Sequence, residues 1–136
     1  AANDNNTTIP SLIVFDLDNT LWSPELYQLR MLQRNNQYPV ARKDVKLFPA
    51  IESILSSIRC DLEENGDASI FSKTKFAVAS RTKSVEWARN LLEQFGLADF
   101  FHFCEIFPGD KKSHFSRLKE QSGIDYHDML FFDDSR

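Results

Sequence analysis

Asp16 and Asp18 stand two residues apart at the end of a short apolar run, Leu12 to Phe15, with Thr20 two positions further on. Paired carboxylates beside a hydroxyl can attack an electrophile, shuttle a proton, or hold a hard cation through oxygen. Further residues of this kind recur in the same context. Ser80 and Arg81 follow the apolar "FAVA", Lys111 and Lys112 open a helical pattern, and Asp133 and Asp134 follow "MLFF". In an open parallel sheet, ligands bind outside the carboxyl ends of the strands, so this order would bring carboxylates, a hydroxyl and cations to one rim. Oxygen ligands suit Mg²⁺, which takes one or two carboxylates together with water and substrate phosphate. Taken singly, each feature has a plain structural reading. Asp133 and Asp134 can cap a helix dipole, Ser80 can cap a helix start, and the lysines can form a solvated face. Their joint placement, each at a strand exit or a helix start, favours a site.

Such a rim needs a frame. Short apolar runs alternate with helical patterns, which predicts βαβ units and an α/β fold with a doubly wound parallel sheet. The run at 12–15 does not alternate, so it is expected to be buried on both faces. Strands of similar style are expected at 76–80 ("FAVAS") and 129–132 ("MLFF"), with a further one inside "FHFCEIF" at 101–107. A helix over 49–64 has Pro49 in its first turn and Ile51, Ile54, Leu55 and Ile58 on one stripe. A second, in 83–96, lines up Val85, Ala88, Leu91, Leu92 and Phe95, with Thr82 as N-cap and Gly96 as stop. A third, in 111–123, turns Phe115 and Leu118 inward and stops at Gly123. Within 23–46, "PELYQLRMLQ" predicts one amphipathic helical stretch in which Tyr27, Leu29 and Met31 either pack as its core or line a flap over the rim, core being the first reading, and 61–75 reads as a surface loop.

Bulk properties narrow the function. The 136 residues, 42% of them hydrophobic, suffice for one domain with a real core. Residues 1–10 read as a disordered polar lead-in and 11–136 as the core. A net charge of −4 argues against non-specific binding to nucleic acid or to an anionic membrane. No stretch reaches the roughly 20 apolar residues that span a bilayer, and no secretory signal is visible. Cys60 and Cys104 lie far apart without CxxC spacing, which predicts reduced thiols and a cytoplasmic location. His102, His114 and His127 match no ligand spacing, and helix packing is the expected role of His114.

As a set, "FDLDNTLW", "ASRT", "PGDKKSHF" and "FFDD" resemble the four motifs of the haloacid dehalogenase (HAD) superfamily, most closely its magnesium-dependent phosphatase-1 branch. The motifs cover residues 11–22 and parts of 76–136; between them only the layout matches. Asn19 departs from the tyrosine frequent in that branch. The resemblance implies a Rossmann-like core with at most a small flap at 23–46 in place of a cap. Such a sheet normally continues past "FFDDSR" into another helix and strand, so a C-terminal part is expected to be missing.

Carried onto this chain, the resemblance implies that Asp16 is a nucleophile forming an aspartyl-phosphate and Asp18 a general acid–base with a raised pKa. Thr20 and Ser80 would orient Asp18 and hold phosphoryl oxygens, with Arg81 also on the phosphate. Lys111, rather than Lys112, would offset the negative charge. Asp16, the Asp18 backbone carbonyl and Asp133 would hold Mg²⁺, with Asp134 either a water-bridged ligand or a partner of Lys111. The implied substrates are phosphotyrosine-like groups or sugar phosphates, on a small molecule or a phosphoprotein side chain, and the expected state is a monomer. Asp18 and the metal set weigh against haloacid dehalogenation, and the lack of a cap against phosphotransfer. A receiver domain would place its acidic pair and its phosphorylated aspartate in the reverse order. A catalytically inactive phospho-ligand module and a HAD phosphotransferase remain the alternatives.

Overall fold

In the computed structural model, which describes residues 9–133, strand β1 (Leu12–Phe15) is buried on both faces. Alternation along a strand sends Ile13 and Phe15 into one apolar cluster and Leu12 and Val14 into another on the opposite side. Strand β4 (Lys75–Ser80) does the same, with Phe76 and Val78 on the first side and Ala77 and Ala79 on the second. Full burial of side chains such as Phe15 or Phe76 contributes roughly 1.5–3 kcal/mol each, which is why these two strands form the centre of the sheet.

Strands β5 (Phe103–Ile106) and β6 (Met129–Phe132) complete a four-stranded sheet in the order β5-β4-β1-β6, parallel throughout. Helix α2 (Pro49–Asn65) and helix α3 (Val85–Gln94) bury Leu55, Ile58, Ala88, Leu91 and Leu92 against the Phe15 side. Helix α4 (Lys111–Ser122) covers the other side with Leu118. Helices on both faces of a parallel sheet are the doubly wound α/β arrangement that the alternating pattern predicts. Among the described residues, no helix is long and apolar enough to cross a membrane, and Cys60 and Cys104 are unbridged.

The segment after β1 is a small accessory rather than a domain. Strand β2 (Trp22–Ser23) pairs antiparallel with β3 (Lys46–Leu47). Between them the expected single helical stretch is broken into a 3₁₀ turn at Leu26–Gln28 and a short helix α1 (Arg30–Arg34). Leu29, with ψ of 62°, interrupts the helical path. Tyr27 and Met31 are therefore exposed rather than core, and Leu29 is half-buried. The remainder is strapped to α3: Tyr38 donates to Glu86 (2.9 Å), and Gln94 bonds both Ala41 N–H and the Pro39 carbonyl.

Other expectations also need correcting. The helix expected over 49–64 is borne out and runs one residue further, to Asn65, where Gly66 (φ +50°) ends it, so the loop expected over 61–75 begins only at 66. Ile54 is exposed, on a groove that it lines together with Leu130 and Phe132 of β6. The N-cap position of α3 is Ser84; Thr82 Oγ1 accepts from Ser84 N–H, one step before the helix. Leu130, Phe131 and Phe132 of β6 are exposed, at 41%, 37% and 41%, unlike the buried strands at the sheet centre. Most of the expected lead-in lies outside the described residues, as does Asp134.

Candidate active site

Register decides what meets at the carboxyl rim. Phe15 is level with Val78 on one side and Phe132 on the other, and Ser80 is level with Ile106. The residues that leave these strands therefore emerge side by side. Asp16 N–H continues the ladder by donating to the Phe132 carbonyl (3.0 Å), so the β1 exit is fixed against the β6 exit that leads to Asp133.

Beyond Asp16 the chain winds into a tight turn. The Leu17 carbonyl accepts from the N–H groups of Thr20, Leu21 and Trp22, and Asn19 N–H donates to the Trp22 carbonyl (2.7 Å). Asn19 sits at φ +63°, a left-handed conformation that asparagine tolerates better than most residues. The turn brings the Trp22 indole to Asp18, where Nε1–H donates to Oδ1 (2.9 Å), and Leu26 N–H approaches Oδ2 at 3.4 Å.

Asp16 accepts a bond from Leu17 N–H at Oδ1 (2.8 Å) and faces Lys111 Nζ with Oδ2 (3.6 Å). The same ammonium lies 3.3 Å from Asp133 Oδ2. All three side chains are less than a fifth exposed. Burial is the main cause that pushes the Asp16 carboxyl above its ordinary pKa. Lys111 and the Leu17 N–H pull it back, and the neighbouring Asp133 and Asp18 push it up further. The site is short of positive charge by its own residues.

Ser80 is buried at the end of β4, its Oγ accepting from Thr82 N–H (3.2 Å). Arg81 is exposed and ties Nε–H to the Gly109 carbonyl (2.6 Å). The β5 exit joins β4 through Phe107 N–H and the Ser80 carbonyl (3.1 Å). His114, fully buried, sets Nε2 against the carbonyls of Ser80 and Phe107 (2.8 Å each) and Nδ1 against that of Asp110 (2.9 Å).

An open cleft of about 490 Å³ gathers Asp16, Asp18, Ser80 and Arg81, with Glu25 and Tyr27 on one flank and Thr82, Lys83 and Ser84 on the other. Lys111 joins through its contact with Asp16, and Asp133 through its contact with Lys111. Lys112 lies elsewhere, on an apolar groove with Phe115 and Phe131. Thr20 Oγ1 is buried and makes no hydrogen bond to Asp18 or to any other partner among the described residues. Asp18 is oriented instead by Trp22 and the Leu26 amide, which sequence reasoning missed together with Glu25 and Lys83. The signal for Trp22 was its place four residues after Asp18, within reach only if the chain turns there.

The residues present fit Mg²⁺. No three His, Cys, Asp or Glu side chains among the described residues gather as a cage. Mg²⁺ does not require one, because it binds through one or two carboxylates and keeps several waters. Asp16 and Asp133 supply two hard carboxylates around one cation already, and burial with mutual repulsion at Asp16 is the electrostatic setting a divalent ion relieves.

Comparison with known proteins agrees with this geometry. Residues 8–136 match the acid phosphatase family. The chain belongs to the acid phosphatase family. It is 36% identical over 133 residues to human magnesium-dependent phosphatase 1, covering 94% of this chain and 69% of that protein. A HAD-like hydrolase superfamily protein of Schizosaccharomyces pombe is 28% identical over 145 residues, covering 95% of this chain and 78% of its own. In fold, the chain resembles a haloacid dehalogenase-like hydrolase from Streptococcus pneumoniae, with a TM-score of 0.61, 12% identity, and coverage of 92% and 75%. The resemblance read from the motifs agrees with these findings: the chain is a member of the acid phosphatase family, similar to a protein named for its magnesium dependence and to a HAD-like hydrolase.

Proposed function

We propose that the chain hydrolyses phosphomonoesters in two displacements through an aspartyl-phosphate on Asp16. The observation that carries this reading is the posture of Asp16. Leu17 N–H anchors Oδ1, Oδ2 faces Lys111, and Asp18 is held beside it on the same open cleft. In the first displacement an Asp16 oxygen bonds to phosphorus as the bond to the leaving oxygen breaks, and Asp18 gives that oxygen its proton. In the second, Asp18 as carboxylate takes a proton from water. The oxygen of that water bonds to phosphorus, the bond to Asp16 breaks, and inorganic phosphate leaves. Lys111 neutralises part of the charge that gathers around the phosphoryl group, and Ser80 and Arg81 are placed to bind its oxygens. Bound Mg²⁺, held by Asp16, the Asp18 carbonyl and Asp133, supplies the further positive charge that an anionic phosphate needs among carboxylates.

Substrate reach follows from the open cleft. Among the described residues no cap encloses it, so a phosphate on a bulky carrier can enter. A cleft lined by Tyr27, Arg81 and Lys83 suits a phosphotyrosine-like or sugar-phosphate leaving group. Unbridged cysteines suit a reducing compartment such as the cytoplasm, and a monomer suffices because one chain provides the whole set. The test is turnover of an aryl phosphate with Mg²⁺ and again with EDTA. EDTA should abolish it, and Asp16→Asn should lower kcat on the order of 10³-fold or more. An Asp16→Asn variant with full activity would remove the nucleophile assignment.

A further inference from the structure

A general acid must be turned toward its target as well as placed near it. Asp18 is turned by an unusual partner: Trp22 is fully buried, and its indole N–H meets Asp18 Oδ1 at 2.9 Å. The ring has little freedom. It stacks near Phe95 (centroids 6.0 Å apart, planes at 27°), its backbone closes the turn onto Leu17 and Asn19, and β2 pairs it with Leu47. Thr20, the residue expected to steady Asp18, leaves its hydroxyl without a partner among the described residues.

We propose that Trp22 is a positioning residue of the phosphatase reaction, its indole N–H holding Asp18 so that Oδ2 carries the proton to the leaving oxygen. This inference rests on the reading of Asp18 as the general acid–base. The chemistry of the donor supports it. An indole nitrogen donates and never accepts, so Oδ1 acts as acceptor whether Asp18 is an acid or a carboxylate. In a carboxylic acid the carbonyl oxygen is the better acceptor, and the Trp22 N–H at Oδ1 (2.9 Å) is much shorter than the Leu26 N–H at Oδ2 (3.4 Å), which makes Oδ2 the oxygen better suited to carry the proton. The indole is also uncharged. A lysine or arginine in its place would favour the carboxylate and weaken Asp18 as an acid. One bond therefore serves both displacements without rearrangement: Asp18 gives the Oδ2 proton to the leaving oxygen as the phosphorus–oxygen bond breaks, then recovers a proton from water.

The experiment is kcat/KM over aryl phosphates whose phenols run from strongly to weakly acidic, with Mg²⁺ present throughout. An effective acid makes the rate insensitive to leaving-group basicity. The wild type should show a shallow dependence and Asp18→Asn a steep one. Trp22→Phe should leave the most acidic phenol little changed and lose about 10²-fold on the least acidic. Should Trp22→Phe fail to fold, benzothienylalanine introduced at position 22 keeps the ring shape and removes only the N–H. Val45→Ala, a packing loss in the same apolar cluster, should leave the slope at the wild-type value. A uniform loss across the series for the position-22 variants would reduce Trp22 to packing and overturn the proposal. A wild type inactive on every member would overturn the phosphatase reading itself, and the positioning role with it.

Discussion

Asp16 stands in a conflict that can be measured apart from catalysis. Its carboxylate is buried between Asp133 and Asp18 with Lys111 as the counter-charge, and its pKa is raised, chiefly by that burial. A raised folded-state pKa means that the charged form costs stability above it, and that the cost disappears as pH falls through the folded value toward the unfolded one. Asp16→Asn should therefore raise the melting temperature in metal-free buffer at neutral pH, with the advantage shrinking as pH falls into the acid range. Thermal unfolding with EDTA at several pH values checks this; a variant less stable at neutral pH would contradict it. The site thus trades stability for chemistry. At this scale the sequence was informative where residue type forces the chemistry. Asp16, Asp18, Ser80 and Lys111 could be named because carboxylates, a hydroxyl and a cation at strand exits have few other uses together. Trp22 could not, because an indole reaches Asp18 only through a turn with Asn19 at positive φ, and apolar patterning reads Trp22 as core, which it also is.

Helix α4 shows how an element places one of those residues. Asp110 occupies its N-cap and accepts from Ser113 N–H (3.1 Å), Lys111 is the first helical residue, and Gly123 closes the helix in the left-handed conformation at φ +73°. His114 ties this start to the exits of β4 and β5 through three carbonyls and stacks on Phe107 at 3.9 Å. The ammonium of Lys111 is thus aimed by a cap and a buried imidazole. Asp110→Ala should cost about 1 kcal/mol of stability, read as a lower urea midpoint at unchanged slope. It should also raise KM, since Lys111 begins the turn that the cap fixes; an unchanged KM would separate the cap from the site. Helix starts and stops were legible at Pro49, Gly96 and Gly123, where backbone geometry and residue type coincide. The 61–75 segment was not. Its polar residues say only that it is solvated, and α2 continues through 65 because one face still meets the core.

Across the whole molecule, burial is uneven in a direction that matters for the site. β1 and β4 are covered on both faces, whereas β6 pairs only with β1 among the described residues and exposes Leu130, Phe131 and Phe132. Apolar grooves of about 490 and 560 Å³ run along its two sides, the first with Phe115 and Met129 and the second with Ile54 and Phe71. In the 136-residue chain, a strand with so little cover opens at lower free energy than the centre of the sheet. Yet β6 leads into Asp133, whose carboxylate shares Lys111 with Asp16. If Mg²⁺ binds Asp16 and Asp133 together, the ion links the least protected strand to the most protected one. Opening β6 then requires losing the ion, which adds RT ln(1 + [Mg²⁺]/Kd) to the opening free energy, about 2.7 kcal/mol at a hundred times Kd. Hydrogen exchange followed by mass spectrometry should show peptides over 129–133 exchanging faster than those over 75–80 without metal. Saturating Mg²⁺ should slow the former up to about a hundredfold while barely changing the latter. Asp133→Asn should keep the fast exchange and lose the response. Equal slowing in wild type and Asp133→Asn would mean that the ion is held without Asp133, and that the edge strand carries no part of the metal site.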